Sequence, residues 1–228
     1  LQAGLDEIGI PQHGWQDGEM GHGTMTAWKH ASEAGTAIQW PMPHFSSPSS
    51  AVEASTAAVA RRSLRLGVLA SGEGSNFEAL VQSCRSGALA AEVAQLVVNN
   101  PGCGAIRRAQ RLGIGCSVIE HRLLRRREEL DAAVVACLSQ HRVDVVVMAG
   151  WMRIVTPVLI QAFPGRMVNI HPSLLPSFRG LDAVGQALAA GVTLSGCTAH
   201  LVVEEVDAGE ILVQAAVPVL SNDSHQSL

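Results

Sequence analysis

Asn169-Ile170-His171-Pro172-Ser173 puts an amide and an imidazole two residues apart. In an extended segment residues at that spacing share a face. Asn169 and His171 then point the same way, an arrangement suited to acyl transfer. The amide can stabilise a developing oxyanion, and the imidazole can move a proton. Asp207 lies in a turn ahead of an apolar, alternating run, and a carboxylate there could orient His171 or raise its proton affinity. Plainer readings stand beside these. A histidine after a strand is often only a hydrogen-bonded polar group, and Asp207-Ala208-Gly209 is ordinary turn chemistry. There is no Gly-x-Ser-x-Gly elbow, and Ser173 has no evident second base, so no covalent intermediate is suggested.

A second group is Ser71-Gly72-Glu73-Gly74-Ser75-Asn76, between a strand-like run and a helix-like run. Gly72 and Gly74 allow backbone amides to approach a ligand, and a helix N-terminus beyond them adds partial positive charge. Ser75 and Asn76 can add side-chain donors or cap the helix. This is either an anion site, most naturally for a phosphate, or a plain strand-to-helix turn. A third glycine is missing, and Asn99-Asn100 stand where a ribose-binding acid would be expected, which argues against a dinucleotide. No Gly-Lys-Ser/Thr follows, so it is not a P-loop.

These groups need elements to hold them. Residues 64–70, 93–98, 116–119, 144–149 and 167–170 read as strands. Between them, residues 77–85, 105–112, 125–141 and a run starting at Thr156-Pro157 read as helices, followed by 182–190. Two further alternating runs, 197–204 and 211–219, flank the turn at 207–209. Strand alternating with helix implies an α/β fold, a mostly parallel sheet with helices on both faces. Ligands of such sheets bind beyond the carboxyl ends of strands, which singles out loops 71–76, 149–153 and 171–180.

Bulk properties narrow the class. The chain has 228 residues, 47% of them hydrophobic, and a net charge of −4, enough for one domain with a substantial core. No basic stripe suits a nucleic acid, and Arg122, Arg125, Arg126 and Arg127 read as a solvated helix face. The five cysteines have no metal-site or disulfide-framework spacing, so no metal is expected. No apolar run reaches the ~20 residues of a membrane span. Residues 1–63 differ from the rest: three of the four tryptophans are there, and residues 41–63 are rich in Pro, Ser and Ala. They read as an N-terminal extension and linker, poorly ordered. His13, His22, His30 and His44 meet no ligand spacing.

Four stretches together resemble the glycinamide ribonucleotide transformylases, in order and at the right intervals. They are Ala70-Ser71-Gly72-Glu73-Gly74-Ser75-Asn76, Ala149-Gly150-Trp151-Met152-Arg153-Ile154, Asn169 through Pro176, and Glu205-Val206-Asp207-Ala208-Gly209. The resemblance implies a Rossmann-like formyltransferase fold over residues 64–228. It implies Asn169, His171 and Asp207 as the catalytic trio, and Gly74, Ser75 and Asn76 on the substrate phosphate. Met152, Arg153, Ile154 and Val155, with Glu204, Glu205 and Val206, would line the folate pocket. The implied reaction is transfer of a formyl group from 10-formyltetrahydrofolate to the amine of 5'-phosphoribosylglycinamide in purine biosynthesis. Small molecules are then the partners, without metal, nucleic acid or membrane; the cytoplasm is the expected location, and a homodimer the assembly considered.

The sequence departs from the family pattern by stopping about one strand and one helix early, so the domain is expected to lack that unit. Two other readings follow. A related hydrolase would release formate from the formyl folate, although residues 1–62 lack the strand–helix alternation of the regulatory domain such enzymes usually carry. A truncated, inactive ligand-binding module would bind without turnover.

Overall fold

The computed structural model describes residues 63–228, and the expectations for the N-terminal extension, its linker and its histidines lie outside the described residues. In order, the elements are β1 (Leu64–Ala70), α1 (Ser75–Arg85), β2 (Ala91–Val98), α2 (Gly104–Leu112), β3 (Cys116–Val118), α3 (Arg127–Gln140), β4 (Val145–Met148), α4 (Pro157–Ala162), β5 (Met167–His171), α5 (Ala183–Ala189), β6 (Leu194–Leu201) and β7 (Ile211–Pro218). They form one seven-stranded sheet in the order β3-β2-β1-β4-β5-β6-β7. The first five strands are parallel, and β6 and β7 join antiparallel.

The alternation of side chains along each strand builds two cores. Leu66, Val68 and Ala70 of β1, with Leu96 and Val98 of β2, pack on one face with Phe77 and Val81 of α1 and Ala105, Ala109 and Leu112 of α2. Leu69 and Val97, one residue out of phase, pack on the other face with Leu130, Val134 and Leu138 of α3 and Leu159 of α4. Strands covered on both faces need apolar residues at successive positions, which is why β1, β2 and β4 are nearly continuous hydrophobic runs. Helix α3 lies very close to β1. A Cβ on Gly67 would sit 2.6 Å from Leu138 Cδ2 and 3.0 Å from both Val143 methyls.

Chain order reverses between β1 and β4, because β2 and β3 extend the sheet one way and β4 and β5 the other. At such a switch point the loops leaving the two central strands diverge and open a crevice. Here those loops are 71–74 and 149–156.

Several boundaries differ from the sequence pattern, including the start of β2, at Ala91 rather than 93. Helix α1 begins at Ser75, two residues early, because Gly74 takes the N-cap position with φ 77°. Helix α3 is shorter at its start, as Arg125 and Arg126 remain outside it and the Arg126 and Arg125 groups bond Glu129 instead. Strand β6 runs 194–201 rather than 197–204. Its inward positions include the buried polar residues Ser195, Thr198 and His200, so hydrophobic alternation does not mark where it begins.

Candidate functional site

Met167, Asn169 and His171 lie on one face of β5 by strand parity. Met167 is in the core beneath α4, so the other two stand on that same face, nearer the carboxyl end. His200 of β6 is paired directly with Asn169 in the antiparallel register. The loop after β6 then returns across these residues and delivers Asp207, at φ 53°.

The result is a buried polar cluster. Asp207 Oδ2 lies 3.3 Å from His171 Nδ1, and Oδ1 lies 3.5 Å from His200 Nε2. Asn169 Nδ2 is 3.1 Å from His200 Nε2 and 3.4 Å from Asp207 Oδ1. The Gly180 amide donates to Asp207 Oδ2 at 2.9 Å. His171 Nε2 donates to the Phe178 carbonyl at 2.8 Å. The His171, His200 and Asp207 side chains are only 6%, 3% and 7% exposed. The Leu201 carbonyl can only accept, so His200 Nδ1 donates to it at 2.9 Å, while Nε2 faces Asn169 Nδ2 and Asp207 Oδ1.

The three residues expected to act together are therefore in contact. His200 is the residue that sequence reasoning missed. Its only signal is its pairing opposite Asn169, which cannot be read until the β5–β6 register is known.

The 71–76 loop sits at the switch point and is wedged against α2. Ala105 N donates to Gly72 O at 3.1 Å, and a Cβ on Gly74 would lie 2.7 Å from Ala105 Cβ. A glycine is thus required at 74 both for its positive φ and for room. No side chain caps α1, so Ser75 and Asn76 do not act as caps. Both are exposed in the first turn of a three-turn helix, with the helix dipole behind them. Arg108 braces this loop from α2, donating to Glu73 O at 2.7 Å and pairing with Glu78. Arg111 and Arg108 together hold the Glu78 carboxyl below its ordinary value.

Ser71 ties the 71–76 loop to the next one. Its amide donates to Gly150 O at 3.0 Å, and its hydroxyl accepts from Met152 N at 2.8 Å. In that second loop Trp151 and Val155 pack into the core, while Met152 and Ile154 are 70% and 56% exposed. Trp151 Nε1 and Arg153 Nε are buried with no protein acceptor. The loop ends at Thr156, whose amide donates at 2.5 Å to the carboxylate of Asp131, a buried residue of α3. Burial raises the Asp131 pKa above the ordinary carboxylate value.

The third wall is residues 202–207. Val202 N bonds Met167 O at 2.9 Å, and Val203 and Val206 are exposed apolar residues. Glu205 pairs with Arg179 at 3.2 Å, and Glu204 is exposed. Among the described residues no group of three or more His, Cys, Asp or Glu side chains is arranged to hold a metal ion. No described helix is long and apolar enough to cross a membrane.

Comparison with known proteins places these features in a family. The formyl transferase family model matches residues 64–228. The human trifunctional purine biosynthetic protein adenosine-3 is 44% identical over 168 residues, covering 74% of this chain and 17% of that protein. The phosphoribosylglycinamide formyltransferase of Bacillus subtilis (strain 168) is 38% identical over 164 residues, covering 72% of this chain and 84% of that enzyme. Among solved structures, glycinamide ribonucleotide transformylase 1 from Symbiobacterium toebii superposes with a TM-score of 0.70 at 42% identity, over 72% of this chain and 77% of that one. The chain thus spans a small part of the trifunctional relatives and most of the single-function ones.

Proposed function

The chain belongs to the formyl transferase family, and on that premise we propose that it moves a formyl group from 10-formyltetrahydrofolate to the amine of 5'-phosphoribosylglycinamide, a step of purine biosynthesis. The observation that carries this reading is the joining of three parts at one sheet crevice. They are the Gly74-Ser75-Asn76 anion loop, the half-apolar loop of Met152, Arg153, Ile154 and Val155, and the buried Asn169–His171–Asp207 cluster.

The residues fit both substrates. The ribonucleotide phosphate would sit on the first-turn amides of α1, in the loop conformation that Gly74 allows. Met152, Ile154 and Val206 offer an apolar surface for a planar heteroaromatic ring. Trp151 Nε1 and Arg153 Nε supply donors without acceptors, the kind of group a ring carbonyl satisfies. Glu204 and Glu205 would close over the ring from the 202–207 loop.

Roles follow from the hydrogen bonds. The amine nitrogen attacks the formyl carbon, forming a C–N bond as the formyl bond to the folate nitrogen breaks. Asn169 Nδ2 makes its longer, weaker contact with Asp207 Oδ1. That contact is the one exchanged for the developing oxyanion, while His200 keeps the amide oriented. Asp207, held by Gly180, receives the proton shed by the amine. The proton then passes with His171 and water to the departing folate nitrogen. Preorganisation of donors in a water-poor site supplies electrostatic stabilisation, and shared binding supplies proximity. No step calls for a metal. The proposed location is the cytoplasm, and a homodimer the proposed assembly.

The test is release of deformylated folate, followed by absorbance with and without phosphoribosylglycinamide. Release only in its presence is expected. Release without it would make the chain a formyl-folate hydrolase, and no release from folded protein would make it a binding module.

A further inference from the structure

We infer that Gln214, on β7 and outside the reacting cluster, is a positioning residue for His171. The inference rests on the reading of His171 as a member of the reacting trio. His171 Nε2 is not free: it is bonded to the carbonyl of Phe178, seven residues on, so the segment 171–178 closes on the imidazole. What fixes the Nε2 side of the ring is therefore whatever fixes that segment, as Asp207 faces the Nδ1 side.

The holding groups come from the β6–β7 hairpin. Thr198 is fully buried. Its hydroxyl donates to Ser173 O at 2.7 Å and accepts from Leu175 N at 3.0 Å. Gln214 Nε2 supplies its two protons to Thr198 Oγ1 and to Leu175 O, each at 2.9 Å. One hydroxyl donor, two hydroxyl acceptor positions and two amide protons are all used, so the network is complete. Ser173 Oγ carries the restraint forward by donating to Ser177 O at 2.6 Å, one residue before Phe178. At the far end Asp207, in the loop of the same hairpin, takes the Gly180 amide. The segment over His171 is thus clamped at both ends by one hairpin, and Gln214 is the outermost group of the inner clamp.

Removing the Gln214 donors leaves the Leu175 carbonyl and the Thr198 hydroxyl each short of a partner. The segment loosens, Phe178 O drifts from Nε2, and the ring loses its fixed orientation toward Asp207. Such a defect lowers the rate of the reacting complex without removing a substrate contact.

The test uses three variants, Gln214→Met, Thr198→Val and Thr198→Ser, with steady-state kinetics and imidazole nitrogen NMR of 15N-histidine-labelled protein. In Gln214→Met and Thr198→Val, kcat is expected to fall about tenfold while KM for either substrate moves less than about twofold. Thr198→Ser, which keeps the hydroxyl, recovers most of the rate. The His171 Nε2–H signal, assigned by its loss in His171→Ala, exchanges faster in the first two variants and is restored in the third. A normal kcat with a normal ring signal in Gln214→Met overturns the inference. So does a rate loss in Thr198→Ser equal to that in Thr198→Val. Should Gln214→Met not fold, the two Thr198 variants decide by the same criteria. Should the wild type transfer no formyl group, the ring signal alone decides: an unchanged signal in the variants overturns positioning, and a changed one supports it whatever the reaction.

Discussion

At the scale of single residues, the site is a set of donors and acceptors whose partners are nearly all accounted for. His171 lies between the Phe178 carbonyl and the Asp207 carboxylate, so its ring cannot turn without breaking a bond. Replacing it with Ala is expected to lower kcat by about 10²–10⁴-fold, the usual worth of a proton-handling group. Folate affinity, measured by equilibrium titration, should stay close to wild type, because the surface proposed to bind folate lies on other loops. Near-normal turnover in that variant would remove His171 from the reacting trio. Asn169, His171 and Asp207 were legible in the sequence as types and spacing. His200 was not, since its place beside Asn169 depends on strand register. Thr198 and Gln214 were equally hidden, because polar residues on strands carry no periodic signal.

At the scale of elements, the glycine at 74 and the carboxylate at 131 each set the position of a loop. Gly74→Ala places a Cβ 2.7 Å from Ala105 Cβ, and a left-handed conformation costs a non-glycine residue roughly 1–2 kcal/mol. The loop should shift off the geometry proposed to hold the phosphate. KM for the ribonucleotide is expected to rise by about fivefold, about 1 kcal/mol, with KM for the folate unchanged. A rise in both would mean that the loop acts on the site as a whole.

Asp131 works on stability. Its folded pKa is raised above 3.8, chiefly by burial, so the native state holds this proton more tightly than the unfolded chain does. The favourable contribution is complete below the unfolded value and is given up as pH rises through the folded one. Asp131→Asn keeps an oxygen for the Thr156 amide and cannot ionise. Relative to wild type it should gain stability as pH rises above the ordinary carboxylate value of about 4, read from urea midpoints. Parallel curves for the two proteins would contradict the assignment. Glu78, held low by Arg111 and Arg108, has the opposite sense, losing its contribution on acidification, and it is common to both proteins. The strands and helices were legible where both faces are apolar, as in β1, β2 and β4. At β6 the strand was legible but its bounds were not, because Ser195, Thr198 and His200 are buried polar residues.

At the scale of the whole molecule, one sheet does the assembling. The reversal of order between β1 and β4 opens the crevice, and the antiparallel β6–β7 hairpin brings Asp207 back over β5. Alternation of strand and helix announced the parallel part and its covered faces. The antiparallel return was legible only as a turn between two alternating runs. Its functional meaning, a carboxylate delivered to a histidine on a neighbouring strand, needed the folded chain.

The most direct test of the account is the fate of the formyl carbon. With 13C-formyl-labelled 10-formyltetrahydrofolate, phosphoribosylglycinamide and the purified chain, NMR should show the label passing into the formamide of formylated phosphoribosylglycinamide, with no free formate. Label that appears as formate, or that stays on the folate, would contradict it.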